Sequence, residues 1–281
     1  MLMVSPLALW GLIVATLFVA LLPIALYARL RKPMALERRD TIVGIAVFAF
    51  FAMIVERAVN AYLLGINATT SAWLSHPVAF VLYGTLAAGV FEEGGRYVGM
   101  RFIAGRLATG ASDRRDGVAL GYGLGHGGAE AWLVGVLTQI QWIAYAILAN
   151  RGELDRHLVN LPIDAVARIH LLLASLSLPM AALFALERTA ALVFQVGLSA
   201  LMWRGVRAGR LVIVPIAIVA HALLDVPALL FQVGRIPLWL VDGGYGLAAI
   251  AVACMLAIRW RRNWLAHRRE QAQTSPTKQT M

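Results

Sequence analysis

The residues of this chain best equipped for chemistry sit inside long apolar runs, where hydrocarbon would be expected. Glu92 and Glu93 are followed by Arg96, His126 by Glu130, and His221 by Asp225. Glu92 and Arg96, His126 and Glu130, and His221 and Asp225 are each four residues apart, so on a helix each pair shares a face. An imidazole with a carboxylate one turn on either ligates a metal or is oriented through its second nitrogen for acid-base work. Hydrolytic chemistry needs a base to take a proton from water and donors to stabilise an oxyanion. A buried carboxylate beside an imidazole can supply the first. Two adjacent acids beside one arginine can be driven into different protonation states, one ionised and one protonated.

Ten acids and arginines fall within the apolar runs: Glu92, Glu93, Arg96, Glu130 and Asp225, with Glu56, Arg57, Glu187, Arg188 and Asp242. Facing lipid, each would cost roughly 2.5–3.5 kcal/mol on insertion scales, or roughly 25–35 kcal/mol together, so they must face a polar interior. Seven acids against three arginines require protonation, a bound cation, or both. Glu56, Arg57 and Asp242 read as partners for one another or as interfacial groups, and Glu187 and Arg188 divide evenly between site and scaffold.

The elements that must position these groups follow from composition. With 60% hydrophobic and 14% charged residues among 281, the chain is an integral membrane protein, not a soluble domain. Seven stretches are long enough to cross about 30 Å of hydrocarbon: 4–28, 41–66, 78–103, 118–149, 179–203, 211–232 and 237–259. The fold class is all-α, a polytopic membrane helix bundle of about seven transmembrane helices. The first stretch reads as a retained helix, because no positive region precedes it and Arg29, Arg31 and Lys32 follow it. With the N-terminus outside, the inner segments carry eighteen basic residues and the outer ones four, which places the C-terminus in the cytoplasm and the protein in the cell membrane. The net charge of +10 is then topology and attraction to lipid headgroups, and nucleic acid is not an expected partner. Residues 1–267 read as one membrane domain and 268–281 as a polar cytoplasmic tail. The longest outer segment, 150–178, holds either an amphipathic interfacial helix or the lead-in to a longer fifth span. One cysteine, Cys254, excludes an internal disulfide framework and a Cys-based zinc ribbon.

At about 1.5 Å of rise per residue, Glu93, His126, Glu130 and His221 lie roughly 12–18 Å from the inner ends of three spans, one layer near the bilayer middle. Gly94 and Gly95 separate Glu93 from Arg96, and Gly121, Gly123, Gly125, Gly127 and Gly128 surround His126. They allow either close helix approach or local unwinding along a polar cavity.

In FEEGGR (91–96), GHGGAE (125–130), ER (187–188) and HALLD (221–225), the sequence resembles the YhfC-type intramembrane metalloproteases, relatives of the CAAX prenyl endopeptidases, bacteriocin-processing proteases and PrsW-type proteases. The likeness runs from about residue 41 to 260. It implies glutamate-dependent, metal-assisted hydrolysis of a membrane-associated peptide or protein. Glu92 or Glu93, with His126, would activate water; His221 with Asp225 would stabilise the oxyanion or bind metal; Arg96 would orient the carboxylate pair. His126, His221 and Glu93 are the candidate ligands of a divalent metal, zinc first. The chain departs from the broader pattern in its EExxR spacing, in GHGGAE, and in Gln195, where some relatives are expected to carry a histidine.

Other protease chemistries find no support: there is no HExxH, no GxGD before a span, and Gly197 to Ala200 is not a serine motif. A polar layer also suits a proton- or cation-coupled carrier, but no inverted repeat is visible. A catalytically inactive scaffold is the third reading.

Overall fold

The apolar stretches form helices, and no strand occurs among the described residues. The computed structural model describes residues 3–107 and 115–274. Arg114, counted among the inner basic residues, and positions 275–281 of the polar tail lie outside them. Helix α1 is Pro6–Leu30, α2 Arg38–Ile66, α3 Ala68–Leu74 and α4 Pro77–Leu107. Helix α5 covers 115–151, followed by α6 (Leu154–Leu158), α7 (Ile163–Ser175), α8 (Leu178–Arg207), α9 (Ile213–Gln232) and α10 (Leu238–Thr274). Six of these are long and apolar enough to cross a membrane, and the pair α3 and α4, bent by 105°, brings the number to seven. The protein is a multi-pass membrane protein.

The helix ends follow local chemistry. Ser5 caps α1 and Ser177 caps α8, each accepting a backbone N–H with a proline opening the first turn. Asn67 accepts from Thr69 and Thr70 to start α3, and Pro77 opens α4 after the break. Gly152 ends α5 at φ 73°, a conformation that favours glycine. The segment 150–178 contains a separate helix, α7, which stops at extended Leu176, so it is not a lead-in to α8. Three π-helical turns interrupt the long helices: Phe51–Glu56 and Tyr62–Ile66 in α2, and Ala131–Val136 in α5. A π turn inserts one residue and shifts the facing of everything beyond it; such turns occur often at functional sites.

Helix α5 lies between α2 and α8, while α4 packs on α9, α2 and α8. Glycine makes this possible by close approach rather than by unwinding, since the helix is unbroken through 115–130. A Cβ on Gly125 would strike the Thr41 carbonyl, and one on Gly127 would lie 2.9 Å from Gln195 Cβ. At the end of the bundle that carries the connections 31–37 and 208–212, a cluster of Met100, Ile103, Val118, Met202, Trp203 and Ile213 fills the interior. The outer surface is the reverse of a soluble protein's. Leu7, Trp10, Val14, Leu17 and Leu21 on α1 are all exposed, a face that lipid covers.

Candidate active site

The site begins at Arg96, which is fully buried on α4. Its Nε donates to Glu93 Oε2 (2.9 Å), and its terminal nitrogens donate to the Gln195 carbonyl (3.2 Å), to Gln195 Oε1 and to Ser199 Oγ. Glu93 Oε1 accepts from His221 Nδ1 on α9 at 2.9 Å. Both oxygens of this carboxylate are therefore occupied, and its side chain has no exposure. A buried charge is tolerated only when paired and hydrogen-bonded in this way.

Glu92 points elsewhere. Its Oε2 accepts from His126 Nε2 and from Gln195 Nε2, both at 3.0 Å. The second hydrogen of the Gln195 amide goes to Glu130 Oε2 at 2.8 Å, and Arg188 approaches Glu130 Oε1 at 3.5 Å. Gln195 thus joins the guanidinium to two carboxylates, and that pattern fixes which way its amide faces. His221 Nε2 lies 3.5 Å from Asp225 Oδ2, too long for a good hydrogen bond. His126 is held between the rings of Phe48 (edge-on, 5.1 Å) and Tyr122 (stacked, 5.9 Å), with Nδ1 buried and unpartnered.

Glu92, Glu130, Arg188, Gln195, His221 and Asp225 line a cavity of about 380 Å³. This lies within the usual range for a small-molecule site. Glu93, Arg96 and His126 do not line it and support it from behind. The seven residues singled out from the sequence therefore meet in one place, but their pairings differ from the same-helix pairs that the spacing suggested. Arg96 binds Glu93 rather than Glu92, and His126 reaches across to Glu92 rather than along its own helix to Glu130. Only His221 and Asp225 remain neighbours.

The other in-span charges divide. Arg188 joins the cavity, whereas Glu187 lies against buried Asp242 on the far side of α8. Glu56 accepts from Asn60 (3.3 Å) and lines the cavity with Arg57, so the expected grouping of Glu56, Arg57 and Asp242 does not form. Sequence reasoning passed over Gln195 and Ser199 as site residues. The available signal was an amide and a hydroxyl four residues apart in a span, in phase with Arg188 seven residues before.

The candidate metal ligands do not assemble. His221 meets Glu93 but His126 meets Glu92, and no three of His, Cys, Asp and Glu converge on one point among the described residues. A tetrahedral ion needs several donors at about 2.0–2.2 Å. Here each imidazole is bonded to a different glutamate, and the remaining His126 nitrogen is buried without a hydrogen-bond partner. This arrangement does not fit a metal centre.

Residues 18–245 match the model of a family described as YhfC intramembrane metalloprotease. The chain is also similar to "Uncharacterized membrane protein YhfC" of Bacillus subtilis (strain 168), with 37% identity over 217 residues covering 77% of this chain and 82% of that one. No solved structure matches. The matched region contains every residue of the site above, and the chain belongs to the YhfC intramembrane metalloprotease family.

Proposed function

We propose that the protein is an intramembrane endopeptidase in which Glu92 is the general base. The observation carrying this reading is the asymmetry of the glutamate pair. Glu93 is sealed, with both oxygens bonded, while Glu92 lines the cavity and keeps 11% of its side chain exposed. A base must reach the water that it activates, and Glu92 can do so.

The step follows from these contacts. Glu92 takes a proton from water held in the cavity, and the water oxygen bonds to the carbonyl carbon of the scissile peptide. The carbonyl π electrons move to oxygen. His221 Nε2, loosely held by Asp225 and facing the cavity, donates a hydrogen bond to that oxyanion. As the oxyanion collapses, the C–N bond breaks and the amine leaves with the proton returned by Glu92. His126 and the Gln195 amide orient Glu92, and Arg96 fixes Glu93, which in turn fixes His221. No step is assigned to a metal. The substrate is a membrane-associated peptide or protein, and the chain is oriented with its N-terminus outside.

The test is cleavage of a library of hydrophobic peptides in detergent micelles, in H₂¹⁸O, with products read by mass spectrometry. Glu92→Gln should lower the rate by about 10²–10⁴ while leaving thermal unfolding close to wild type. Products should carry one ¹⁸O in the new C-terminus. Full activity of Glu92→Gln would overturn the assignment.

A further inference from the structure

The cavity is closed at one end and open at the other. Along α2 its lining runs from Phe48, 1% exposed, through Met53 and Glu56 to exposed Arg57. On α8 it runs from buried Leu198 and Gln195 to Arg188, whose side chain is 22% exposed. On α9 it passes from His221 to Asp225, with side chains 6% and 33% exposed. Helix α8 runs antiparallel to the other two, yet all three lose burial toward the same end, which carries the connections 67–76, 152–177 and 233–237. At the other end the Met100, Met202 and Trp203 cluster closes the interior.

The two ends also differ in charge. Among the described residues, sixteen basic ones lie in the segments at the closed end and four in those at the open end, the asymmetry that puts the closed end in the cytoplasm. The mouth is polar, with Arg57, Asn60, Arg188 and Asp225 at its rim. Such a rim suits an extended peptide, whose backbone groups need partners in place of those that a helix supplies.

We propose that the site is entered from the extracytoplasmic side alone, so that its substrate is a peptide segment reaching it through the outer leaflet and not a cytoplasmic tail. The word substrate rests on the hydrolase reading; the access route does not, and it can be measured without turnover.

The experiment uses full-length protein with Cys254→Ala, removing the one native thiol, and single cysteines at Val134 and Arg57 on the rim. Exposed Ser75→Cys marks the outer side and exposed Ala208→Cys the inner side. A membrane-impermeant maleimide is added to intact cells and to inside-out vesicles. Val134→Cys and Arg57→Cys should be labelled at least tenfold faster in intact cells, tracking Ser75→Cys. Faster labelling in inside-out vesicles overturns the proposal, as does equal labelling from both sides, the mark of alternating access. Failure of both rim cysteines to react from either side, while Ser75→Cys reacts, also overturns it. Absence of peptide cleavage in the separate assay would sink the hydrolase reading and leave this result standing.

Discussion

Arg96→Met keeps most of the side-chain volume at a position with no exposure and removes four hydrogen bonds: to Glu93, to Ser199 and to two oxygens of Gln195. Glu93 then keeps His221 as its remaining bonded partner. Deleting one member of a buried ion pair costs about 3–5 kcal/mol, because an uncompensated charge stays behind. At about 2–4 °C per kcal/mol, the variant should unfold roughly 6–20 °C below wild type. Glu93→Gln should cost less, about 1.5–3 kcal/mol, since the guanidinium retains Gln195 and Ser199. The double variant carries neither charge and should unfold above Arg96→Met alone, with a coupling of about 0.5–3 kcal/mol. Tryptophan fluorescence of the detergent-solubilised protein follows the transition. Strictly additive losses, or an Arg96→Met midpoint within about 2 °C of wild type, would refute the buried pair as the centre of the scaffold.

Gln195→Leu withdraws one donor from Glu92 and one from Glu130, each worth about 1–3 kcal/mol; cleavage should fall at least tenfold in kcat with little change in KM, measured on a responsive peptide. Gly125→Ala drives a Cβ into the Thr41 carbonyl and should destabilise by about 1–3 kcal/mol, whereas Gly94→Ala, with nothing within 4 Å, should be neutral or stabilising; thermal unfolding compares them. Because the imidazoles are spent on separate carboxylates, elemental mass spectrometry of purified protein should find no stoichiometric divalent metal. Near-stoichiometric zinc that vanishes in His126→Ala/His221→Ala would show that these hydrogen bonds open to ligate an ion.

The spans were legible because a bilayer imposes length and apolarity on any helix that crosses it. The depth layer was legible as well: counting residues along α4, α5 and α9 brought Glu93, His126 and His221 to one level, where they are found together. The pairings were not. Same-helix spacing ranks partners one turn apart, but it carries no information on how closely another helix approaches. Gly127 brings α8 so near α5 that a cross-helix partner wins at Glu130, which bonds Gln195, while His126 reaches across to Glu92 on α4. From sequence alone, Gln195, a glutamine at a position where histidine is expected, reads as a missing ligand. Its two-sided amide is what lets a cation and two anions share one buried junction. The π turns left no sequence signal at all.

The packing of α5 against α8 also bears on how the chain is made. Among the six unbroken spans these two are the least apolar, and each supplies what covers the other's polar face. Synthesis at about 5–20 residues per second separates the end of α5 from the end of α8 by roughly 3–11 seconds. During that interval α2 can already pack against one side of α5, but Glu130 has neither Gln195 nor Arg188. Until its later-born neighbour arrives, Glu130 must be protonated or in contact with water. A ribosome that stalls after α7 leaves Glu130 without either of its partners, while His126 keeps Glu92 and Phe48.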